Sequence, residues 1–229
     1  EAKSSYSIRV RSTDAGGLWT EKVFVIGVND VNEAPTLAVP GAQTAYEDVD
    51  LAVTGITVAD PDDDNLLVTL SVGHGTLTLG TTAGLMVDGN GTGMVTISGS
   101  ITNLNAALAT LVYRGQLNYS GSDTLNISGS DGHLSTSGSV AITVNSAEQQ
   151  AADLRDRVEA LRVAGVLNNV QANQLNESLS LNGDVGDINK VQKFLLKVDR
   201  LLMNDVLSQA KADDLLYWGN ILLLSVTRR

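Results

Sequence analysis

The pattern of hydrophobic and polar positions changes once along the chain, near Ser146. Before that residue, apolar side chains alternate with Thr, Ser and Gly, as at Val68, Leu70 and Val72. A period of two predicts half-buried antiparallel strands, and the Gly-rich segments between them predict tight turns. Residues 103–108 break the alternation and predict a short helical turn. Short strands joined in this way predict a β-sandwich.

After Ser146 the apolar period becomes 3.6 residues, which is typical of amphipathic helices. One apolar stripe is formed by Leu154, Val158 and Leu161. Gly, Asn and Asp residues fall where such helices should end. We therefore predict four helices, near residues 147–164, 169–181, 185–203 and 208–226.

The helical part repeats itself with an offset of 40 residues, so that Gly165 corresponds to Asp205 in the turn. Two helical hairpins of the same design can bury each other's apolar stripes. We therefore predict an all-α four-helix bundle made of two duplicated hairpins.

The β part repeats only at its edges. The segment from Asp14 to Asp30 matches the segment from Asp131 to Ser146. Thirty residues cannot bury a core alone, so the missing strands are expected upstream in the precursor or in a neighbouring chain. We predict three parts, namely the last hairpin and linker of a preceding module, a complete sandwich and the helical bundle, at residues 1–34, 35–146 and 147–229.

Composition and charge exclude several classes of function. The chain has 26 Asp and Glu against 15 Lys and Arg, a net charge of −11, so it would repel the phosphates of a nucleic acid. It contains no Cys, which excludes a disulfide scaffold, a thiolate metal site and a cysteine nucleophile. No apolar run approaches the roughly 18 residues that a membrane span needs.

The acidic residues of the β part cluster in loops. Segment 30–33 is a linker, segment 60–65 joins two predicted strands, and Asp131 precedes the last one. In an all-β Greek-key sandwich these loops converge on one pole, where carboxylates would repel one another. A hard cation that takes 6–8 oxygen ligands would relieve this repulsion, and the lack of Cys with only two His favours Ca²⁺ over Zn or Cu. The alternative is that these are solvated turn residues.

These segments resemble the cadherin and bacterial cadherin-like repeats. Glu47, the run Val58-Ala59-Asp60-Pro61-Asp62, Asp131 and the linker Asp30-Val31-Asn32-Glu33-Ala34-Pro35 carry the resemblance, which covers residues 1–146. It implies a cadherin/Ig-like fold and a calcium site at the junction of two modules. The implied ligands are Asp30, Asn32, Asp60, Asp62 and Asp131, and the further candidates are Asp14, Glu33, Asp64 and Glu47.

Some positions depart from the cadherin pattern. Glu33 stands where Asp is usual and Ala34 where Asn is usual, so one or two ions are expected rather than three. The second linker, residues 146–148, lacks the ligands, so the array is expected to end there. Residues 154–175 resemble the small helical domains of the FIMAH type at the C-termini of secreted bacterial proteins, which implies a location more than an activity.

We therefore predict a non-enzymatic extracellular structural or adhesion protein of bacterial type, the C-terminal end of a large calcium-stiffened surface or filament protein. No nucleophile elbow is present, and His74 and His133 lie in predicted turns. The expected partners are upstream cadherin-like modules of the same precursor or a neighbouring subunit, and a protein partner for the helices. Two alternatives stay open. One is a carbohydrate- or protein-binding accessory module of a secreted enzyme. The other is a filament subunit that assembles by strand donation, in which residues 1–30 complete a neighbour's sandwich.

Overall fold

The computed structural model of the chain describes residues 4–29, 31–62, 65–183 and 186–227. Its backbone contacts divide the chain into two compact units, residues 1–33 and residues 34–229. The division falls within the acidic linker, directly before Ala34.

The first unit is a single antiparallel hairpin, formed by β1 (Ser5–Thr13) and β2 (Trp19–Gly27). Its turn is closed by Asp14, whose Oδ1 accepts hydrogen bonds of 2.9 Å from the backbone N–H groups of Gly16 and Leu18. Asp is favoured at such positions because its short side chain can bind the backbone a few residues on. Side chains on both faces of the hairpin are exposed.

The second unit begins with a β-sandwich, which confirms the prediction from the alternating pattern. Its strands are β3 (Thr36–Ala38), β4 (Gln43–Tyr46), β5 (Leu51–Ala52), β6 (Thr57–Ala59), β7 (Asn65–Ser71), β8 (Gly75–Leu79), β9 (Met86–Asp88), β10 (Met94–Ser100), β11 (Leu111–Gly115), β12 (Gly121–Ser130) and β13 (Ser135–Asn145).

The strands form sheets around one apolar core. The larger sheet has the order β4-β13-β12-β7-β10-β9, a smaller one has the order β5-β11-β8, and β3 pairs with β6. The pairs are antiparallel except β4 with β13, which is parallel. The alternating residues point inward as the period of two predicts. Those with at most 2 % exposure include Val68, Leu70, Leu125, Ile127, Val140, Ile142 and Val144.

The predicted helical turn is present as helix α1 (Ile101–Leu108). It begins at Ser100, whose side chain accepts a hydrogen bond from the N–H of Asn103, as an N-cap serine does. Asn105 on this helix exchanges two hydrogen bonds of 2.9 Å with the backbone of Val58 in β6. The helix therefore fixes the short strand that leads into the acidic loop.

The four predicted helices follow the sandwich and share a second apolar core, separate from the first. They are α2 (Ala147–Val163), α3 (Asn169–Glu177), α4 (Gly186–Met203) and α5 (Gln209–Thr227). Helix α3 ends four residues before the predicted limit of 181. There the N–H groups of Ser178 and Leu179 donate 3.0 Å bonds to the carbonyls of Leu175 and Asn176, three residues back, so the α-helical pattern ends. No helix within the described ranges is long and apolar enough to cross a membrane.

The 40-residue repeat is visible in the backbone. In the turn after helix α2, Gly165 has a φ of +72°, and in the turn after helix α4, Asp205 has a φ of +57°. The N–H of Val166 donates a 3.0 Å bond to the carbonyl of Leu161, and the equivalent bond after α4 has the same length. Both ends therefore use the same left-handed C-terminal motif, which glycine adopts without strain and aspartate adopts at a cost.

Candidate functional site

Strand register brings the acidic loops of the sandwich to one end. Strand β7 begins at Asn65, directly after the loop that carries residues 60–62, and β12 ends at Ser130, directly before Asp131. Ser130 pairs with Leu67 near the start of β7. The loops therefore lie side by side, and we call this part of the sandwich, defined by Asp60, Asp62 and Asp131, the acidic end.

Each of these aspartates takes part in a turn. Oδ1 of Asp60 accepts a 2.9 Å hydrogen bond from the N–H of Asp62. Oδ1 of Asp131 accepts hydrogen bonds of 2.6 and 2.7 Å from the N–H groups of His133 and Leu134. Asp60 and Asp131 are half-buried and Asp62 is exposed. Turn geometry accounts for the positions of these carboxylates whether or not a cation binds.

Three of the other candidate ligands, Asp14, Asn32 and Glu33, belong to the first unit. The Nδ2 of Asn32 donates a 3.1 Å hydrogen bond to the carbonyl of Glu33, and Asp14 closes the hairpin turn. Asp30 and Asp64 lie outside the described residues. Within the described ranges, no group of three or more His, Asp or Glu side chains is arranged to hold a metal. The calcium site therefore stays a prediction.

Glu47 lies at the opposite end of the sandwich, where the helices join it. This side chain is 4 % exposed, and its Oε2 accepts a 2.9 Å hydrogen bond from the N–H of Ala147, the first residue of α2. Ser225 on α5 donates a 2.7 Å bond to the carbonyl of Glu47. Gln150 joins Ser225 at 2.9 Å and the carbonyl of Asn145 at 3.2 Å. We call this set of contacts the junction and this part of the sandwich the junction end.

The junction places a negative charge at the start of a helix. The first N–H groups of a helix have no partner within it, and the helix dipole is positive there. The carboxylate of Glu47 satisfies one such N–H, while the side chain of Ser146 accepts from the N–H of Gln149 in a capping box. Glu47, one of the candidate calcium ligands, thus has a backbone N–H as a hydrogen-bond partner of its carboxylate.

Aromatic and charged side chains extend the junction to its surface. The ring of Tyr46 meets that of Trp218 edge to face at 5.5 Å, and the guanidinium of Arg157 lies 4.7 Å from the Trp218 ring centre. Arg157 also pairs with Asp214 at 2.9 Å. Burial and, after it, the charge of Asp153 raise the pKa of the Tyr46 phenol, so that it stays neutral. A cavity of about 330 Å³ opens beside these residues.

Sequence analysis missed Asp123, a buried carboxylate at the same end. It accepts hydrogen bonds from the N–H groups of Gly73, His74 and Thr124 at 2.8–2.9 Å and from the Tyr113 hydroxyl at 3.0 Å. Burial alone would raise the pKa of Asp123, but the hydrogen bonds outweigh it and hold that pKa below its ordinary value. Burial, followed by the charge of Asp123, raises the pKa of the Tyr113 phenol. The carboxylate thus fixes the loop between β7 and β8.

A sequence signal for Asp123 existed. The alternation that points Leu125 and Ile127 into the core points Asp123 inward as well. A carboxylate on the inward face of a strand must be paired or hydrogen-bonded, because burying it otherwise costs too much free energy. The position therefore marks a buried polar site, although the pattern does not identify its donors.

Asp48 is a second buried carboxylate at the junction end. It adopts a φ of +59°, and its Oδ1 accepts a 3.2 Å bond from the N–H of Asn118. Arg114 donates to the Asp48 carbonyl at 2.8 Å and to the carboxylate of Asp50 at 3.0 Å. Among the described residues, the Oδ2 of Asp48 has no hydrogen-bond partner. The nearby positive charge of Arg114 disfavours a metal ion at this position.

No protein-family model matches the chain, and no curated protein matches it significantly. Among solved structures, it is similar to human protocadherin-24 EC1-2, with 12 % identity, 62 % of this chain and 66 % of that chain covered, and a TM-score of 0.34. It is also similar to Drosophila N-cadherin EC1-3, with 20 % identity, 62 % and 43 % coverage and a TM-score of 0.26. A third similar structure is an endo-fucoidan hydrolase of glycoside hydrolase family 107, with 17 % identity and a TM-score of 0.26.

The third comparison covers 62 % of this chain but 19 % of the hydrolase, so the chain spans about a fifth of that protein. These identities and TM-scores assign neither a family nor an activity. Membership of the cadherin family and the FIMAH-like nature of the helices stay predictions.

Proposed function

We propose that this chain is a non-enzymatic structural or adhesion segment of an extracellular protein, in which Ca²⁺ bound at the acidic end stiffens a series of cadherin-like modules. The observation that supports the proposal most is the grouping of the loops carrying Asp60, Asp62 and Asp131 at one end of the sandwich. Their carboxylates offer the oxygen ligands that Ca²⁺ prefers. A bound cation would offset the repulsion among these carboxylates.

The contacts of the junction suggest a role for the helices in this proposal. Glu47 already binds the N–H of Ala147, and the helix N-terminus supplies the positive end of a dipole where a module boundary would otherwise call for a cation. The series of calcium-bound boundaries would therefore end at the junction. Helices α2–α5, as a four-helix bundle of two duplicated hairpins and as a FIMAH-like domain, would cap the series or dock on a protein partner.

Thermal unfolding with and without calcium tests the proposal. A ligand that binds only the folded state at ten to a hundred times its Kd stabilises it by about 1.4–2.7 kcal/mol. We expect a chelator to lower Tm by several degrees and Ca²⁺, but not Mg²⁺, to restore it. Asp60→Asn and Asp131→Asn should reduce this shift, whereas Asp213→Asn, at an exposed position on α5, should leave it unchanged. An identical calcium response in Asp131→Asn and the unaltered chain would count against the site.

The alternative of a carbohydrate-binding accessory module has less support. Such a module presents aromatic side chains on an open sheet face, but the sandwich tyrosines are engaged elsewhere. Tyr113 is fully buried, Tyr119 stacks on His74 with ring centres 4.4 Å apart, and Tyr46 packs on Trp218. Binding of the chain to a panel of immobilised polysaccharides would favour this alternative over a structural role.

A further inference from the structure

The hairpin of the first unit repeats the last hairpin of the sandwich in its pairing register. Ile8 lies opposite Phe24 in the same way as Leu125 lies opposite Val140. The shift is 117 residues on the first strand (125 − 8) and 116 on the second (140 − 24). All nine pairs of the first hairpin follow this shift. Because a slip of one residue would turn every side chain to the other face, the same side chains face the same way in both hairpins.

The two turns account for the one-residue difference in shift. In the first hairpin the N–H of Asp14 donates to the carbonyl of Leu18, four residues on, at 2.8 Å. In the second, the N–H of Asp131 donates to the carbonyl of Leu134, three residues on, at 3.3 Å. Both aspartates also bind backbone N–H groups of their own turn through Oδ1. The hairpins therefore share their design, and the first has a turn that is one residue longer.

Burial separates the two hairpins. The apolar core-facing side chains of β12 and β13 have exposures of at most 2 %, as at Leu125 and Val140. Their equivalents on β1 and β2 are 44–50 % exposed, and with Tyr6 they form what we call the apolar face: Tyr6, Ile8, Val10, Phe24 and Ile26. Within the first unit, the described residues contain no second sheet or helix to cover this face.

The opposite face of the first hairpin carries ion pairs beside the exposed side chains of Trp19, Val23 and Val25. Arg9 and Arg11 form ion pairs with Glu21, at 3.5 and 2.6 Å. The guanidinium of Arg11 also lies 4.2 Å from the ring centre of Trp19. The apolar face carries one charged side chain, Lys22 opposite Val10, whereas the ion pairs lie on the other face, as in a strand pair with one side on a core. A two-stranded hairpin is at best marginally stable alone, so the apolar face calls for a covering layer.

We propose that the apolar face is covered by a β-sandwich of this chain's own design that lacks its last two strands, and that β1 and β2 serve as those strands. The proposal rests on the modular part of the proposed function and is independent of calcium. The partner surface that we propose is equivalent to the surface that β12 and β13 contact within residues 34–146.

The shared register specifies the backbone edges that the partner must offer. Strand β12 pairs antiparallel with β7 over residues 126–130, and β13 pairs parallel with β4 over residues 142–145. With the shifts of 117 and 116, residues 9–13 would pair antiparallel with a β7-like strand and residues 26–29 would pair parallel with a β4-like strand. A folded second copy of this chain cannot offer these edges, because its own β12 and β13 occupy them. The partner is therefore an incomplete sandwich.

An extended chain tests the proposal. Residues 34–120 are placed directly before Ser4 of the otherwise complete chain, because Ser4 corresponds to Gly121 in the repeat (121 − 117). We expect amide hydrogen exchange in β1 and β2 to slow by at least about 100-fold relative to the original chain, as core strands are protected compared with exposed ones. Exchange in β7 and β12 of the second unit checks that the rest of the protein is folded.

A matched pair of substitutions on the two faces makes the test specific. In the extended chain, Phe24→Asp on the apolar face should abolish the new protection, whereas Val23→Asp on the opposite face should retain it. Unchanged exchange in β1 and β2 of the extended chain overturns the proposal. So does a dimer of the original chain that Phe24→Asp abolishes and Val23→Asp retains, since a second copy would then cover the face. All measurements are made in a chelator, so failure of the calcium site leaves this result unaffected.

Discussion

The junction end and the acidic end of the sandwich hold carboxylates in different ways. At the junction end three of them are buried, with exposures of 3–7 %: Glu47, Asp48 and Asp123. Glu47 and Asp123 accept hydrogen bonds from backbone N–H groups that other strands and a helix hold in place. At the acidic end the carboxylates are half-buried or exposed and hold turns of their own loops. The fold itself thus supplies hydrogen-bond donors to the buried carboxylates, whereas the carboxylates of the acidic end lie where a cation can reach them.

The largest expected effect on stability comes from removing one of the buried carboxylates. Asp123→Ala would leave the N–H groups of Gly73 and His74 and the Tyr113 hydroxyl without their acceptor in a buried position. We expect the free energy of unfolding to fall by about 3–5 kcal/mol, measured by urea unfolding with circular dichroism. Asp62→Ala at the acidic end, measured in a chelator, is the control and should change it by less than about 0.5 kcal/mol. Similar losses in both variants would remove the distinction between the two ends.

The junction itself should give the next largest effect. Glu47→Ala removes the acceptor of the Ala147 N–H and should lower the free energy of unfolding by about 1–3 kcal/mol. Glu47→Gln keeps a side-chain carbonyl oxygen and should lower the free energy of unfolding by less than Glu47→Ala does. Amide exchange at Ala147 should accelerate in Glu47→Ala, since this N–H loses its partner. An unaltered exchange rate at that amide would show that the contact contributes little to the junction.

Low pH should destabilise the junction end through protonation of Asp123. Its pKa in the folded protein lies below the ordinary value, so its stabilising contribution is complete above the unfolded-state pKa of about 3.9 and is lost as pH falls through the folded-state pKa. One such group gives a slope of up to about 1.4 kcal/mol per pH unit. Urea unfolding at pH 2–5 should show a flatter profile for Asp123→Asn than for the unaltered chain. Asp187, whose pKa is also lowered despite burial, contributes equally to both profiles and cancels.

The smallest effect is expected at the acidic end. Asp131→Asn keeps an oxygen at the position of Oδ1, which accepts from His133 and Leu134. In a chelator we expect the free energy of unfolding to change by less than about 0.5 kcal/mol. A loss above about 1 kcal/mol without calcium would mean that the Asp131 charge is part of the folded structure in the same way as that of Asp123.

Much of the fold follows from local pattern. The period of 3.6 residues and the turn residues Gly165 and Asp205 locate the ends of α2 and α4 closely, because a helix C-terminus depends on its own last residues. The alternating pattern did not identify the short strands β4, β5 and β6. Runs of two to four residues show no clear alternation, and the pairing partners of β4 and β5 lie far along the chain.

The two ends of the sandwich differ in how much of them the sequence can predict. Strand order alone assigns the loops of Asp60 and Asp131 to one end, although their role as metal ligands stays a prediction. The contact of Glu47 with Ala147 spans 100 residues and depends on how the helices dock. Asp123 stood at an inward position of its strand, but its donors Gly73 and His74 come from a loop 49–50 residues earlier. Contacts of this range require the folded chain.

The hydrogen bond from Ser225 to the Glu47 carbonyl has a consequence for the order of assembly. It joins positions 178 residues apart, the helix that follows all the others to the strand region near the start of the sandwich. Such a contact forms only after the intervening chain has been synthesised and has folded, since closing a long loop costs entropy before the contact compensates for it. The attachment of the helices through this bond therefore cannot form before α5 has been synthesised.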